Sequence, residues 1–383
     1  MVIRFIYGMS GCAKTTTALK LLNSGLTFRC IAFTHSAVNN LRDMYSKMYS
    51  NKLTADELST YFMTIHKFLR IRVSENYANI KRPHIELPEC VIVDEFSLIP
   101  LDIIDMLFEL GRTTSCAFVF VGDFIQLMPI ATIRQPISLN LLQSEFSEIP
   151  LTFNEAIRIA DHLSNSVYTS SAFQSAKKLV LLHNYRNGSH VCDVLNDALN
   201  GHFKPHIIQF NRIKEYVADG YVVISSMYVH LERAYGYSGQ FANHVEQHTR
   251  KTRIGYITID IDDQLVLSES IEGTDYMNGD VVSVMSLGEM NYITVVKPMS
   301  EPISIDAMIV MPHNFITCHK AQGRTIPRVL LVLDDLFEIT MLYTSITRAS
   351  EDIKFIKFKY QPNEADLNAF KHMRDVIYRG WNS

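Results

Sequence analysis

Three short runs in this chain combine residue types suited to chemistry on a phosphate chain. The first is Gly8-Met9-Ser10-Gly11-Cys12-Ala13-Lys14-Thr15, set between an apolar run and a helix-forming stretch that opens at Thr16. Glycine-rich backbone ahead of a helix turns N–H groups onto an anion. This is the context of a Walker A loop, with Gly8, Gly11, Cys12, Ala13, Lys14, Thr15 and Thr16 around the phosphates. Lys14 would reach the β- and γ-phosphates, and the Thr15 hydroxyl would ligate magnesium. Ala13 stands where the pattern has its second glycine. The start of a helix has negative φ, so alanine is expected to be tolerated there. The second run is Cys90-Val91-Ile92-Val93-Asp94-Glu95, an apolar strand ending in two carboxylates. Carboxylates at the C-terminal end of a strand face the ligand crevice of an open α/β sheet. Asp94 suits the magnesium shell beside Thr15, and Glu95 suits activation of an attacking water. The third run is Gly122-Asp123-Phe124-Ile125-Gln126-Leu127-Met128-Pro129. There the Gln126 amide suits a contact to the γ-phosphate or to that water.

Such groups need a scaffold, and the apolar pattern supplies one. Strands are expected at Val2–Tyr7, Cys30–Thr34, Cys90–Asp94 and Ala117–Gly122, alternating with helical stretches. That alternation implies a parallel sheet covered by helices on both faces. Residues Lys67–Pro88 interrupt it with a polar segment. A second set, Tyr221–Ser225, Arg328–Asp334 and Ile353–Phe358, repeats the strand pattern. Between them, from Ile254 to about Val310, the chain is rich in Val, Ile, Thr and Tyr, with turn signals at Asp262-Asp263 and Asn278-Gly279. Short strands at close spacing suggest a small β-barrel inserted in the second lobe.

Composition narrows the partners. The 383 residues are 47% apolar and 20% charged, ordinary values for a globular chain of two or three domains. A net charge of -4 argues against a general basic field, so any nucleic acid would need a local groove. Six cysteines, Cys12, Cys30, Cys90, Cys116, Cys192 and Cys318, include no C-x-x-C pair, which disfavours a zinc site. Thiols in apolar runs fit a reducing compartment. No apolar stretch reaches the roughly 18–20 residues that span a bilayer. The opening run reads as a strand rather than a signal peptide. A cytoplasmic or nuclear protein, not secreted and without a membrane partner, is expected.

The ordered motifs resemble those of the superfamily 1 helicases, most closely the RecD/Dda-type branch. After the P-loop come "IAFTHSAVNNL" (Ile31–Leu41), similar to motif Ia, and "TIHKFL" (Thr64–Leu69), similar to motif Ib. "VDEFSLIP" (Val93–Pro100) and "GDFIQLMP" (Gly122–Pro129) resemble motifs II and III. "NYRN" (Asn184–Asn187), "TCHKAQGRT" (Thr317–Thr325) and "LYTSITRA" (Leu342–Ala349) resemble motifs IV, V and VI. The resemblance runs from Gly8 to about Lys357. It implies an α/β fold of two RecA-like parallel-sheet lobes. The first lobe would be residues 1–175, the second 176–253 with 311–383, and an SH3-like β insertion 254–310. "YMNGDVVSV" (Tyr276–Val284) resembles a turn and strand of that insertion.

The family's roles carry over by position. Arg186 and Arg348 match arginine fingers of the second lobe, which in such enzymes are worth roughly 10³–10⁵ in rate. Gly323 matches the motif V glycine that couples nucleotide to nucleic acid. Thr34, His35, Thr64, His66, Thr317 and His319 fall in motifs that line the strand groove, where hydroxyls and imidazoles suit phosphate contacts. ATP and magnesium are the implied cofactors. Single-stranded nucleic acid is the implied partner, with DNA favoured over RNA, 5′-to-3′ polarity, and a monomeric enzyme.

Two features depart from the family. Its glutamine motif upstream of the P-loop has no counterpart before Val2, which leaves the base preference open. Lys67–Pro88 is short for a strand-separating pin, with Tyr77 the candidate pin aromatic. Two other readings stay open. One is an RNA helicase of viral type, since "THSAVNNL" also looks like motif Ia of RNA-directed relatives. The other is a nucleotide-regulated binding module that does not translocate.

Overall fold

The structure is a computed structural model. It describes residues 3–49, 53–71, 86–128, 146, 149–164, 166–200, 202–237, 248–276, 278–298, 300–333, 339–357 and 364–378. Most of the segment proposed as a pin, Tyr77 included, lies outside them. The chain divides into two units: Met1–Asn187 with Asn196–Phe203 and Asn363–Ser383, and Gly188–Leu195 with Lys204–Pro362.

The first unit is built on six strands: β1 (Ile3–Gly8), β2 (Phe28–Ala32), β3 (Phe62–Thr64), β4 (Cys90–Asp94), β5 (Ala117–Gly122) and β6 (Lys177–Leu181). Their order is β3-β2-β4-β5-β1-β6, and every pairing is parallel. The inner strands are apolar almost throughout, as a sheet buried on both faces requires. On one face Ile6, Cys30, Ile92 and Val119 pack with Ala18 and Leu19 of helix Lys14–Lys20 and with Val38 and Leu41 of helix His35–Met48. On the other, Phe5 stacks on Phe120 at 4.8 Å and meets Phe173 edge-on at 5.1 Å. Cys30 and Cys90 are buried strand residues, and Cys116 is buried just ahead of β5.

The boundary expected at 175/176 is corrected by β6. Lys177–Leu181 pairs with β1 in the register Arg4↔Lys177 to Gly8↔Leu181, so the first sheet extends past residue 175. The C-terminal assignment is corrected as well. Helix Glu364–Ile377 belongs to the first unit, where Asp366 pairs with Arg158 of helix Phe153–Ser164. An apolar stripe on that last helix, Leu367, Phe370, Met373 and Ile377, is buried.

In the second unit, β7 (Val222–Ser225), β15 (Phe315–Thr317), β16 (Ile326–Leu333) and β17 (Ala349–Lys357) form a parallel sheet of order β15-β7-β16-β17. Inserted between β7 and β15 is antiparallel structure. A two-stranded ribbon, β8 (Thr249–Thr252) and β9 (Gly255–Thr258), precedes a five-stranded sheet. That sheet has the order β13-β12-β11-β10-β14, from β10 (Gln264–Leu267), β11 (Val281–Leu287), β12 (Tyr292–Val296), β13 (Ile303–Asp306) and β14 (Val310–Pro312). The fold is thus α/β with two parallel sheets and a β insertion in the second unit. Among the described residues no helix is long and apolar enough to cross a membrane.

Candidate nucleotide site and strand-binding motifs

The glycine loop leaves β1 at its C-terminal end, and its glycines are demanded by close approach. A Cβ on Gly8 would lie 2.0 Å from the Leu181 carbonyl oxygen of β6. Gly11 has φ +82°, and a Cβ there would meet Asn184 Oδ1 at 2.3 Å. Ala13 has φ 55° and ψ 29°. The expectation of negative φ at this position was wrong. The residue is the N-cap of helix Lys14–Lys20 and sits in the left-handed region, which the loop needs in order to turn into the helix. Its carbonyl accepts from the Thr17 backbone N–H and hydroxyl, both at 2.9 Å. For a residue with a Cβ this conformation costs roughly 1–2 kcal/mol.

Lys14 Nζ donates to the Met9 carbonyl at 2.8 Å, so the ammonium lies over the loop. Burial pulls its pKa down, and nearby Asp123 and Cys12 oppose that shift. Burial pushes the Cys12 thiol up to about 11, against the pull of Lys14. Thr16 occupies the first turn of the same helix.

Asp94 ends β4, which lies two strands from β1 in the sheet. The Thr15 hydroxyl is 3.2 Å from each Asp94 carboxylate oxygen. Two neighbouring ligands of an octahedral ion with bonds of about 2.1 Å stand about 3 Å apart, so this hard oxygen pair fits magnesium. Asp94 is buried, and its pKa rises to about 7 through burial first and the Glu95 charge second. Glu95 has φ 51° and ψ 51°, a second side chain held in the left-handed region. Backbone strain of this kind clusters at functional sites.

Gln126 lies in the turn after β5 and is buried. Its Nε2 donates to Asp123 Oδ2 at 3.4 Å, while the Ile125 N–H donates to Asp123 Oδ1 at 3.1 Å.

Arg186 was expected on the second lobe, but it belongs to the first unit. The reason is geometric. β6 runs parallel to β1, so the residues after Leu181 emerge beside the loop that follows Gly8. Arg186 NH1 donates to the Ser10 hydroxyl at 3.3 Å. Asn184, which sequence reasoning did not single out, fixes this turn. Its Oδ1 accepts from the Arg186 N–H at 2.9 Å and the Asn187 N–H at 3.3 Å. The Tyr185 N–H donates to the Gly11 carbonyl at 2.9 Å, and the Tyr185 ring is 72% exposed. An Asn two residues before an Arg, binding the backbone just ahead, is the available signal.

The groove candidates follow one local design. Thr34, Thr64 and Thr317 are each the N-cap of a helix that follows a strand, accepting from Ala37, Lys67 and Lys320 N–H respectively. In the first unit β2 and β3 are neighbours with Ala32 opposite Thr64, which puts Thr34, His35, Thr64 and His66 at one end of the sheet. His66 is buried against the Phe33 ring at 5.1 Å, and burial lowers its pKa. Burial thus favours the neutral imidazole, which keeps one N–H to donate to a phosphate oxygen.

His319 is an exposed residue of the second unit, two positions after Thr317. Gly323 there has φ +80°. Beside it, Gln322 is buried with neither amide atom hydrogen-bonded among the described residues. A buried polar group left that way costs about 1–3 kcal/mol, which marks a place where a ligand could be received. Motif V is also tied to the insertion. Lys320 Nζ donates to the Leu267 carbonyl at 2.9 Å and to Asn278 Oδ1, and Arg324 NH2 donates to the Gly279 carbonyl. Arg348 is buried in the turn between helix Ile339–Ile346 and β17, donating through Nε to the Thr344 carbonyl at 3.2 Å.

A glycine loop after β1, an acidic pair at the end of β4 and an all-parallel sheet are the parts of a P-loop α/β unit, and the second unit carries a further all-parallel sheet. Residues 2–132 match the AAA_19 family, an AAA domain. Among solved structures the fold is similar to that of Pif1 helicases. A Pif1 chain from work on DNA unwinding at forked dsDNA by two coordinating Pif1 helicases is 17% identical, with TM-score 0.60 over 99% of this chain and 94% of that one. Bacteroides Pif1 bound to ssDNA is 16% identical, with TM-score 0.56 over 96% and 92%. Bacteroides Pif1 in complex with ADP-AlF3 and ssDNA is 15% identical, with TM-score 0.55 over 99% and 94%. No curated protein matches the chain.

Proposed function

We propose that this protein is an ATP-driven helicase that moves along single-stranded DNA. The observation that carries the reading is the joining of the Lys14 loop, the Thr15–Asp94 pair and Glu95 at one end of the first sheet. The fold shared with Pif1 chains that were captured with ssDNA or with ADP-AlF3 supports it.

In this reading the backbone N–H groups from Gly8 to Thr16 cradle the phosphates, and Lys14 neutralises the β- and γ-oxygens. Thr15 and Asp94 would hold magnesium, which when bound draws charge from the phosphate oxygens. Glu95 accepts the proton of the attacking water, and Gln126 orients that water. Arg186, fixed by Asn184 beside Ser10, adds positive charge where the γ-phosphate would lie. Tyr185 offers an exposed ring on which a nucleobase can stack. Arg348, carried by the second unit, is the residue whose replacement tests whether that unit takes part in hydrolysis. Thr34, His35, Thr64, His66, Thr317 and His319 are the strand contacts in this reading. The 5′-to-3′ polarity rests on resemblance to the RecD/Dda-type branch.

The test is the ATPase rate with no strand, with ssDNA and with ssRNA. Stimulation by ssDNA, loss of turnover in Lys14→Ala, and a drop of about 10²–10⁴-fold in Glu95→Gln with ATP binding retained are expected. Stimulation by ssRNA alone would shift the reading to an RNA helicase. A rate indifferent to both strands would shift it to a non-translocating binding module.

A further inference from the structure

The turn that carries Gln126 is held from the far end of the chain. Asp123 is buried, and its carboxylate gathers donors from three directions: the Ile125 N–H, Gln126 Nε2 and the Tyr378 hydroxyl. The Tyr378 hydroxyl in turn accepts from the Phe124 N–H at 2.9 Å. Tyr378 lies immediately after helix Glu364–Ile377 and is 0% exposed. His162, from helix Phe153–Ser164, meets the Phe124 carbonyl at 2.7 Å through Nε2. Aromatic rings enclose the Phe124 side chain, with Phe96 and Phe173 both at 4.8 Å. The backbone of Phe124 is therefore fixed on both its N–H and its C=O by side chains from the end of the unit's sequence and from the helix packed against it.

We propose that Tyr378 and Asp123 are positioning residues that set which way the Gln126 amide faces. The argument is one of donors and acceptors. Both Asp123 oxygens accept, one from the Ile125 N–H and the Tyr378 hydroxyl and the other from Gln126. The Gln126 atom turned to Asp123 is therefore its NH2, which leaves Oε1 to face the other way as an acceptor. An acceptor is what a water must meet if its remaining hydrogen is to be held while its lone pair attacks. With the amide reversed, Oε1 would oppose the carboxylate and that orientation is disfavoured. Tyr378 acts one step further back. By donating to Asp123 and accepting from Phe124, it holds the carboxylate and the turn in the single arrangement that imposes this choice.

The inference rests on the reading of Gln126 as the water-orienting residue, and the experiment separates the two. In the full chain, Tyr378→Phe keeps the buried ring and removes only the hydroxyl. It should lower kcat for ATP hydrolysis about tenfold, with KM for ATP changed less than twofold, at a temperature well below its unfolding midpoint. Asp123→Asn, which can present a donor to the Gln126 NH2, should do the same. In a Gln126→Ala background, Tyr378→Phe should have no further effect on kcat, because the group it positions is gone. A Tyr378→Phe enzyme with a lowered midpoint but unchanged kcat would show a structural role alone and overturn the proposal. So would an equal loss in both backgrounds. If Gln126→Ala itself hydrolyses ATP at the normal rate, the reading of Gln126 is what fails, and the positioning role falls with it.

Discussion

At the scale of single residues, the site is marked by side chains in conformations that cost free energy. Ala13 and Glu95 both occupy the left-handed region, one in the phosphate loop and one at the acidic pair. Glycine meets no Cβ penalty there, so Ala13→Gly should raise unfolding stability by up to about 1 kcal/mol, read by denaturant titration. The larger entropy of glycine in the unfolded chain offsets part of that gain. Gly11→Ala should do the reverse and more, because its φ is positive and its Cβ would strike Asn184. At Tyr185 the expected change is in binding. Stacking of a base on an aromatic ring is worth about 1–3 kcal/mol. Tyr185→Ala should therefore raise KM for ATP roughly tenfold, and Tyr185→Trp should keep it near the parent value.

At the scale of elements, the notable link is between motif V and the inserted sheet. The short helix Cys318–Ala321 and the residues after it send two cations into the turn ahead of β11. Burial lowers the Lys320 pKa to about 8, and neighbouring Arg324 adds to the shift. The unfolded value is about 10.4, so between pH 8 and pH 10 the unfolded chain binds more protons than the folded one. The cost of holding this charge is therefore fully present below pH 8 and fades as pH rises through that window. Relative to Lys320→Met, the parent protein should gain stability from pH 8 to pH 10, and a flat difference would remove the assignment. Lys320→Met should also speed amide exchange at Gly279, whose N–H shares the Leu267 carbonyl with Lys320, by roughly ten- to a hundredfold, since a net hydrogen bond to a charged donor is worth about 1.5–3 kcal/mol.

At the scale of the whole molecule, legibility in the sequence followed burial pattern. β4 and β5 were readable because they are unbroken apolar runs whose sheet buries both faces. β6 was not, because Lys177–Leu181 is an edge strand that opens on two lysines and leaves three of its five residues exposed. Missing it moved the boundary and put Arg186 on the wrong unit. β3 and β15, of three residues each, were too short to show a period. The phosphate loop and acidic pair were legible as motifs, since their chemistry fixes residue types at fixed spacing. The Ala13 conformation was not, because a backbone angle leaves no trace in the identity of an alanine. Nor was the return of the last helix, whose stripe indicates that it is buried but not against what. Ending the chain at Pro362 should uncover the partner face on helix Phe153–Ser164, lower the unfolding midpoint of the first unit and abolish measurable ATP hydrolysis. Equal midpoints for the two lengths in calorimetry would contradict that.

The return of the last helix also bears on how the protein is made. Asp123 and Tyr378 are 255 residues apart in the chain. At about 5–20 residues per second on a ribosome, roughly 13–50 seconds separate the synthesis of one from that of the other. Throughout that interval the nascent first unit has its phosphate loop and acidic pair but not the hydroxyl that fixes the Gln126 turn. The whole second unit emerges meanwhile. On the function proposed above, a polypeptide still in translation has the parts that bind nucleotide before it has the hydroxyl that brings turnover to its full rate.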